Sequence, residues 1–300
     1  MITTANCRIC AIALLLWLST PAQAFLPSSE RAVLVAIYNS TGGPNWINHT
    51  GWNGKPRTEC GWYGVTCDAG NDHVIKINLD NNNLAGPLPA LSNLPALSEA
   101  TFSLNQLTGL PPDLGSLPQL AKFNAAVNQI TGTLPNLSGL TALTEFNVDT
   151  NQLSGALPTL PAGIAIFIVR SNQFTGPIPA LQGLGNLNWF SASNNLLTGQ
   201  LPSLQGLSVL QIFTASNNRL TGPIPSLNGL ANLSRFGIGF NQLSGTMPGA
   251  PFPNQLVSAG SLLCPNLIDP RDDPSWDAAT GQSPWWFWCD AIFIDGFEGS

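Results

Sequence analysis

The sequence predicts an α/β solenoid of eight stacked repeats, closed by a cap at each end. Three observations carry this expectation. Asparagines recur at Asn82, Asn105, Asn128, Asn151, Asn172, Asn195, Asn218 and Asn241, every interval being 23 residues except the 21 between Asn151 and Asn172. A fixed period of this length is what stacked supersecondary units produce. Apolar residues stand eight, five and three positions before each Asn, the set a short strand buries as it enters a turn. Composition agrees, for 44% of the 300 residues are apolar, only 9% are charged, and there are 29 Gly and 25 Pro. So much Gly and Pro excludes long helices, and so much apolar content excludes disorder.

From the N-terminus, residues 1–24 carry Arg8, an apolar run over 11–18, and Ala22-Gln23-Ala24. A basic start, a short apolar core and an A-x-A site make a secretory signal peptide. The run is too short to span a membrane, and no later stretch reaches about 18 apolar residues. The mature chain then starts at Phe25 and keeps Cys60, Cys67, Cys264 and Cys289. In an oxidising compartment these pair, most simply with the nearest in sequence, as Cys60–Cys67 and Cys264–Cys289. Four cysteines allow three connectivities, so the other two stay open. A secreted protein, extracellular, periplasmic or at the cell surface, is expected.

The repeat itself reads, in one copy, Leu210…Phe213…Ala215…Asn218-Arg219-Leu220-Thr221-Gly222-Pro223-Ile224-Pro225. Over residues 73–250 it resembles the plant-type subclass of the leucine-rich-repeat family, L-x-x-L-x-L-x-x-N-x-L-[TS]-G-x-[IL]-P. The resemblance implies a right-handed horseshoe or superhelix with a parallel β-sheet on its concave side. It also makes residues 25–72 an N-terminal cap of that subclass. Residues 32–38 form its short helix, followed by Gly43-Pro44-Asn45-Trp46, Trp52 and Cys60-Gly61-Trp62-Tyr63-Gly64-Val65-Thr66-Cys67-Asp68. Members are mostly recognition modules, receptor ectodomains and inhibitors of secreted enzymes, and most have no catalytic activity of their own.

Within the repeat, five positions before each Asn stand Phe123, Phe146, Phe167, Phe190, Phe213 and Phe236. These should stack into an aromatic column inside the solenoid. Ala125, Ala192 and Ala215 two positions on leave volume for them, and Ala100 and Phe102 take the reverse order; such compensation keeps a core dense. The Asn column is structural, because an amide carries both donor and acceptor and can satisfy the backbone of each coil. A hydroxyl column, Thr108, Thr131, Ser154, Thr175, Thr198, Thr221 and Ser244, invites an ice-binding interpretation. A local bond from each hydroxyl to its own turn accounts for it more simply.

Residues six, four and two before each Asn then face solvent on the concave sheet. The first of these columns runs Lys76, Glu99, Lys122, Glu145, Ile166, Trp189, Ile212, Arg235. Its N-terminal half alternates in sign and pairs with itself. The other half exposes Ile166, Ile168, Trp189 and Ile212 together, with Arg170 and Arg235 near enough to meet carboxylates of a ligand. This cluster is the expected binding site for an extracellular protein, peptide or glycan. The 21-residue repeat keeps Ile164 eight before Asn172, so its missing residues must come from the convex turn around 159–163, with the sheet continuous.

Other classes find little support. A net charge of −6, with pI ≈ 4.7 and only ten scattered basic residues, argues against nucleic acid. Catalysis lacks material, the only histidines being His49 and His73 near the cap. Glu99 and Glu145 lie two strands apart, ~10 Å, beyond the pair separation of an inverting glycosidase, and Lys122 between them would hold both ionised. No cofactor motif or metal site is expected. Asp269, Asp272, Asp273 and Asp277 lack calcium-loop spacing.

Residues 251–290 are expected to close the last coil, since an open solenoid end exposes its core. Trp285-Trp286-Phe287-Trp288 suits that covering role better than a sugar-stacking platform. The tail at 291–300 resembles a short C-terminal segment found on secreted bacterial proteins of unrelated content, which implies a bacterial source. The function expected is therefore a monomeric, secreted, non-catalytic recognition module. The alternatives are an inhibitor of a secreted polysaccharide-degrading enzyme and, with least support, a hydrolase.

Overall fold

A computed structural model describes residues 25–251, 253–257, 259–269 and 273–286. Residues 1–24, expected to be a signal peptide, together with Asp272, Phe287, Trp288, Cys289 and residues 291–300, lie outside the described residues. The chain forms a solenoid whose inner sheet takes one short strand from each repeat. These strands are Val74–Asn78, Glu99–Thr101, Lys122–Asn124, Glu145–Asn147, Ile166–Ile168, Trp189–Ser191, Ile212–Thr214 and Arg235–Gly237. All eight are parallel, and Val65–Cys67 of the cap adds a ninth strand, antiparallel to the first. Register is in phase throughout: Glu145 pairs with Ile166, Ile166 with Trp189, Trp189 with Ile212, and Ile212 with Arg235. The sheet therefore runs unbroken across the 21-residue repeat, as expected.

The Phe column exists. Phe123 through Phe236 stack with ring centroids 5.3–5.9 Å apart, each ring fully buried. Trp276 covers the C-terminal end of the stack at 6.1 Å from Phe236 and donates its Nε1 hydrogen to Pro248 O at 2.9 Å. It sits on the short helix Pro274–Thr280, whose first turn Asp273 caps by accepting from Ser275 N. That helix and the 13-residue Ser28–Ser40 are the α-helices among the described residues. The α component of the expected α/β solenoid is thus confined to the two ends. Proline in each convex segment leaves room only for single turns such as Leu94 N to Leu91 O.

A second parallel sheet, absent from the sequence expectation, follows the Asn positions. Its seven strands are Thr131–Thr133, Gln152–Ala156, Gln173–Gly176, Leu196–Gly199, Arg219–Gly222, Gln242–Thr246 and Leu267–Asp269, and Ala85–Pro87 pairs separately with Gln106–Thr108. Alternation produces it: Arg219 and Thr221 face solvent while Leu220 between them is buried. A glycine at left-handed φ then turns each coil outward. At Gly132 (φ 85°) a Cβ would also stand 2.3 Å from Leu110 Cδ2. The hydroxyl column accordingly lies on strands, which corrects the local-turn expectation. Thr131 Oγ1 donates to Gly109 O (3.2 Å) and Ser154 Oγ to Gly132 O (3.4 Å), both one coil back.

Each ladder amide joins two coils. Asn128 Nδ2 donates to Ala125 O and Ala126 O in its own turn and to Phe102 O in the preceding coil, at 3.0–3.2 Å. Its Oδ1 accepts Leu107 N at 2.9 Å. The residue before each Asn from Asn105 on is left-handed, including Leu104, Val127, Thr150 and Phe240 at φ 53–57°. Asn266, inside the segment expected to be purely a cap, repeats the pattern by accepting Leu243 N and donating to Ile238 O and Leu263 O.

In the N-terminal cap, Trp46, Trp52 and Trp62 pack edge-on or tilted at 4.9 and 5.1 Å, and Cys60–Cys67 forms a disulfide. Cys264 is disulfide-bonded; its expected partner Cys289 lies outside the described residues. Two carboxylates that sequence alone does not single out are buried here. Glu59 pairs with Arg31, whose guanidinium covers Trp62. Glu30 Oε2 accepts Val74 N at 2.7 Å, and its Oε1 lies 2.5 Å from His73 Nδ1. The hydrogen bond to Glu30 raises the His73 pKa, helped by the charges of Glu30, Asp68 and Asp72 and opposed by burial.

Candidate functional site

On the inner sheet the charged half satisfies itself. Lys76 pairs with Glu99 at 3.0 Å and Lys122 with Glu145 at 3.3 Å, so the alternating ladder resolves into two ion pairs. Each glutamate expected to fail as a glycosidase acid is held beside an ammonium group, on an open sheet.

The other half differs from expectation in two places. Ile168, expected at the surface, is only 7% exposed. It is the last residue of its strand, in register between Asn147 and Ser191. Arg170, expected to be available to a ligand, is engaged: its Nε and Nη2 donate to the two carboxylate oxygens of Asp149 at 3.2 and 2.6 Å. Both stand two before their Asn in adjacent coils, just past the strand ends, which places the fork against the carboxylate.

Trp189, Ile212 and Arg235 remain together. They line a groove of ≈ 370 Å³ with Ser191, Ser193, Thr214, Ser216 and Gly237 on its floor and the Arg170 side chain at its edge. Ile166 is half-buried on the strand next to Trp189 but outside this lining. Ala259, Gly260 and Leu262 close the far end. Sequence reasoning missed this wall, because its residues belong to the irregular C-terminal segment. Gly239 admits it, for a Cβ there would lie 2.4 Å from Cys264 O. Among the described residues Arg235 has no carboxylate partner. Trp189 Nε1 is buried and unpaired, so this side chain presents apolar ring surface rather than a donor.

Repeat, stacked core and caps together define the class: a capped parallel-β solenoid with the fold of leucine-rich-repeat ectodomains. Residues 27–68 match the family model described as Leucine rich repeat N-terminal domain. Among solved structures, PEPR1-AtPEP1 aligns with TM-score 0.70 at 24% identity over 85% of this chain and 37% of that one; this likeness is one of fold. The ectodomain of the plant membrane receptor kinase GASSHO1/SCHENGEN3 from Arabidopsis thaliana, in complex with CASPARIAN STRIP INTEGRITY FACTOR 2, aligns at 0.55. It is 27% identical, over 82% of this chain and 36% of that one. The plant peptide hormone receptor RGFR1, in complex with RGF2, aligns at 0.50 with 25% identity over 66% and 44%. The chain thus spans less than half the length of each of these proteins. Among the described residues no helix is long and apolar enough to cross a membrane.

Proposed function

We propose that the chain is a secreted, non-catalytic recognition module that holds a peptide segment of an extracellular partner on the C-terminal half of its inner sheet. The observation that carries this reading is the contrast along one column. Lys76, Glu99, Lys122 and Glu145 neutralise one another, whereas Trp189, Ile212 and Arg235 share a groove and Arg235 lacks a counter-charge among the described residues. An apolar surface beside an unpaired guanidinium gains by meeting a ligand that offers both apolar contact and a carboxylate. Two structural neighbours, GASSHO1/SCHENGEN3 and RGFR1, were solved with bound partners, the latter as a peptide hormone receptor, and this favours a peptide over a glycan.

The test is a binding screen of secreted peptides, proteins and glycans against purified protein, followed by two substitutions. Trp189→Ala should weaken the captured ligand by about 2 kcal/mol or more. Glu99→Ala removes only an exposed ion pair worth about 0–1 kcal/mol and should leave binding nearly unchanged. The reverse result places the site in the charged half and ends this reading.

A further inference from the structure

The geometry points to a ligand in polyproline II conformation that presents a carboxylate and a large apolar side chain three residues apart. This rests on the proposed peptide site and specifies what that site reads. Trp189 and Arg235 occupy one column, separated by the single strand of Ile212, which places their Cα atoms two strand spacings or about 9.6 Å apart. A fully extended peptide crossing the strands presents same-face side chains every second residue, at about 6.6 Å and then about 13 Å, and neither matches. Polyproline II has three residues per turn and rises about 3.1 Å per residue, so its same-face side chains recur every ~9.3 Å. That period carries one side chain to Arg235 and another to Trp189.

The end of the inner sheet supports the same mode. A peptide binding as an added strand needs free backbone donors at the edge. At the Arg235–Gly237 edge the Phe236 N–H is taken by Ser261 Oγ (3.2 Å), and the next, Ile238 N–H, by Leu262 O (2.7 Å). On the floor the Ser191 and Thr214 hydroxyls bond each other at 2.7 Å, which engages one of their two hydrogens. Recognition then comes through side chains of a groove whose one aromatic is Trp189, and a backbone that needs no hydrogen-bonded partner fits it.

The experiment is calorimetric titration of the mature chain with N-acetylated, C-amidated peptides in which Leu and Asp are separated by one, two or three prolines, in both orders. Spacing three, with two intervening prolines, should bind at least tenfold tighter than the other two in one of the two orders. Asp→Asn in that peptide should cost about tenfold, and Arg235→Gln should erase the Asp/Asn difference while thermal stability is retained. Replacing its prolines with glycine should weaken binding several-fold. Peptides that bind through Trp189 without a spacing preference, or an Asp/Asn difference that survives Arg235→Gln, overturn this inference and leave the peptide site standing. No binding by any peptide, while the screen yields a glycan, overturns both.

Discussion

The guanidinium of Arg170 lies against the carboxylate of Asp149, closed by hydrogen bonds of 3.2 and 2.6 Å. This pair divides the inner sheet by charge. Its N-terminal side is a set of matched charges, and beyond it stands one unmatched cation, Arg235. The Asp149 side chain is largely buried while Arg170 is half exposed. Hydrogen bonds to charged groups contribute about 1.5–3 kcal/mol, less where water screens them. Arg170→Gln should therefore lower unfolding free energy by about 1 kcal/mol in urea titration, whereas Arg235→Gln should leave it unchanged.

The ladder amides should be far more costly to remove than their number suggests. Asn128→Ala deletes three donated bonds and strands the buried Leu107 N–H. An orphaned buried group costs about 1–3 kcal/mol, so we expect a loss of about 2–3 kcal/mol. Asn128→Asp keeps the acceptor but sets a second, buried and charged oxygen against the carbonyls of Phe102, Ala125 and Ala126, and should cost at least as much. Chemical denaturation followed by circular dichroism reads both.

Val127 is exposed, β-branched and left-handed at φ 56°. An L-residue in that region pays roughly 1–2 kcal/mol, and Asn or Gly much less. Val127→Asn should raise stability by about 1 kcal/mol. An unchanged or lower melting temperature would show that Val127 makes contacts outweighing its strain.

Trp276 closes the Phe stack and is fully buried. Trp276→Ala should cost about 3–5 kcal/mol, as large aromatic truncations do. Trp189→Phe keeps ring packing and removes an unpaired buried N–H, so its stability should be equal to or above that of the wild type. A loss exceeding about 1 kcal/mol would mean that the indole N–H has a partner.

The His73 pKa is raised in the folded chain, first by its bond to Glu30. A raised folded pKa gives stability that is fully present below the unfolded value and fades as pH climbs through the folded one. The melting temperature should fall as pH climbs above the ordinary histidine range, about 6.5, and His73→Gln should flatten that slope. A slope identical in the two proteins would mean that the pair does not hold the cap.

The sequence alone determined the solenoid, its period, the Phe column and the in-phase columns of the inner sheet. Each follows from a residue type recurring at one position, and repetition amplifies a weak local preference until no other fold suits it. The continuity of the sheet past the short repeat was legible for the same reason. The second sheet was hidden because a three-residue polar–apolar–polar alternation beside a glycine reads equally well as a turn. The ninth ladder residue, Asn266, was hidden because its 25-residue spacing from Asn241 and an intervening irregular segment break the period.

Only tertiary structure decided which residues of the candidate site are accessible. Burial of Ile168 depends on its neighbours on the adjacent strands, Asn147 and Ser191, which lie 21 and 23 residues away in sequence. Capture of Arg170 by Asp149 depends on a contact between adjacent coils, 21 residues apart in sequence. The wall at 259–262 lies on the irregular coil that Asn266 closes, and it meets Trp189, Ile212 and Arg235 because that coil stacks on the Arg235–Gly237 strand, with Ile238 N donating to Leu262 O. Periodicity specifies what lies in each column, whereas exposure and charge pairing are set by distances between coils.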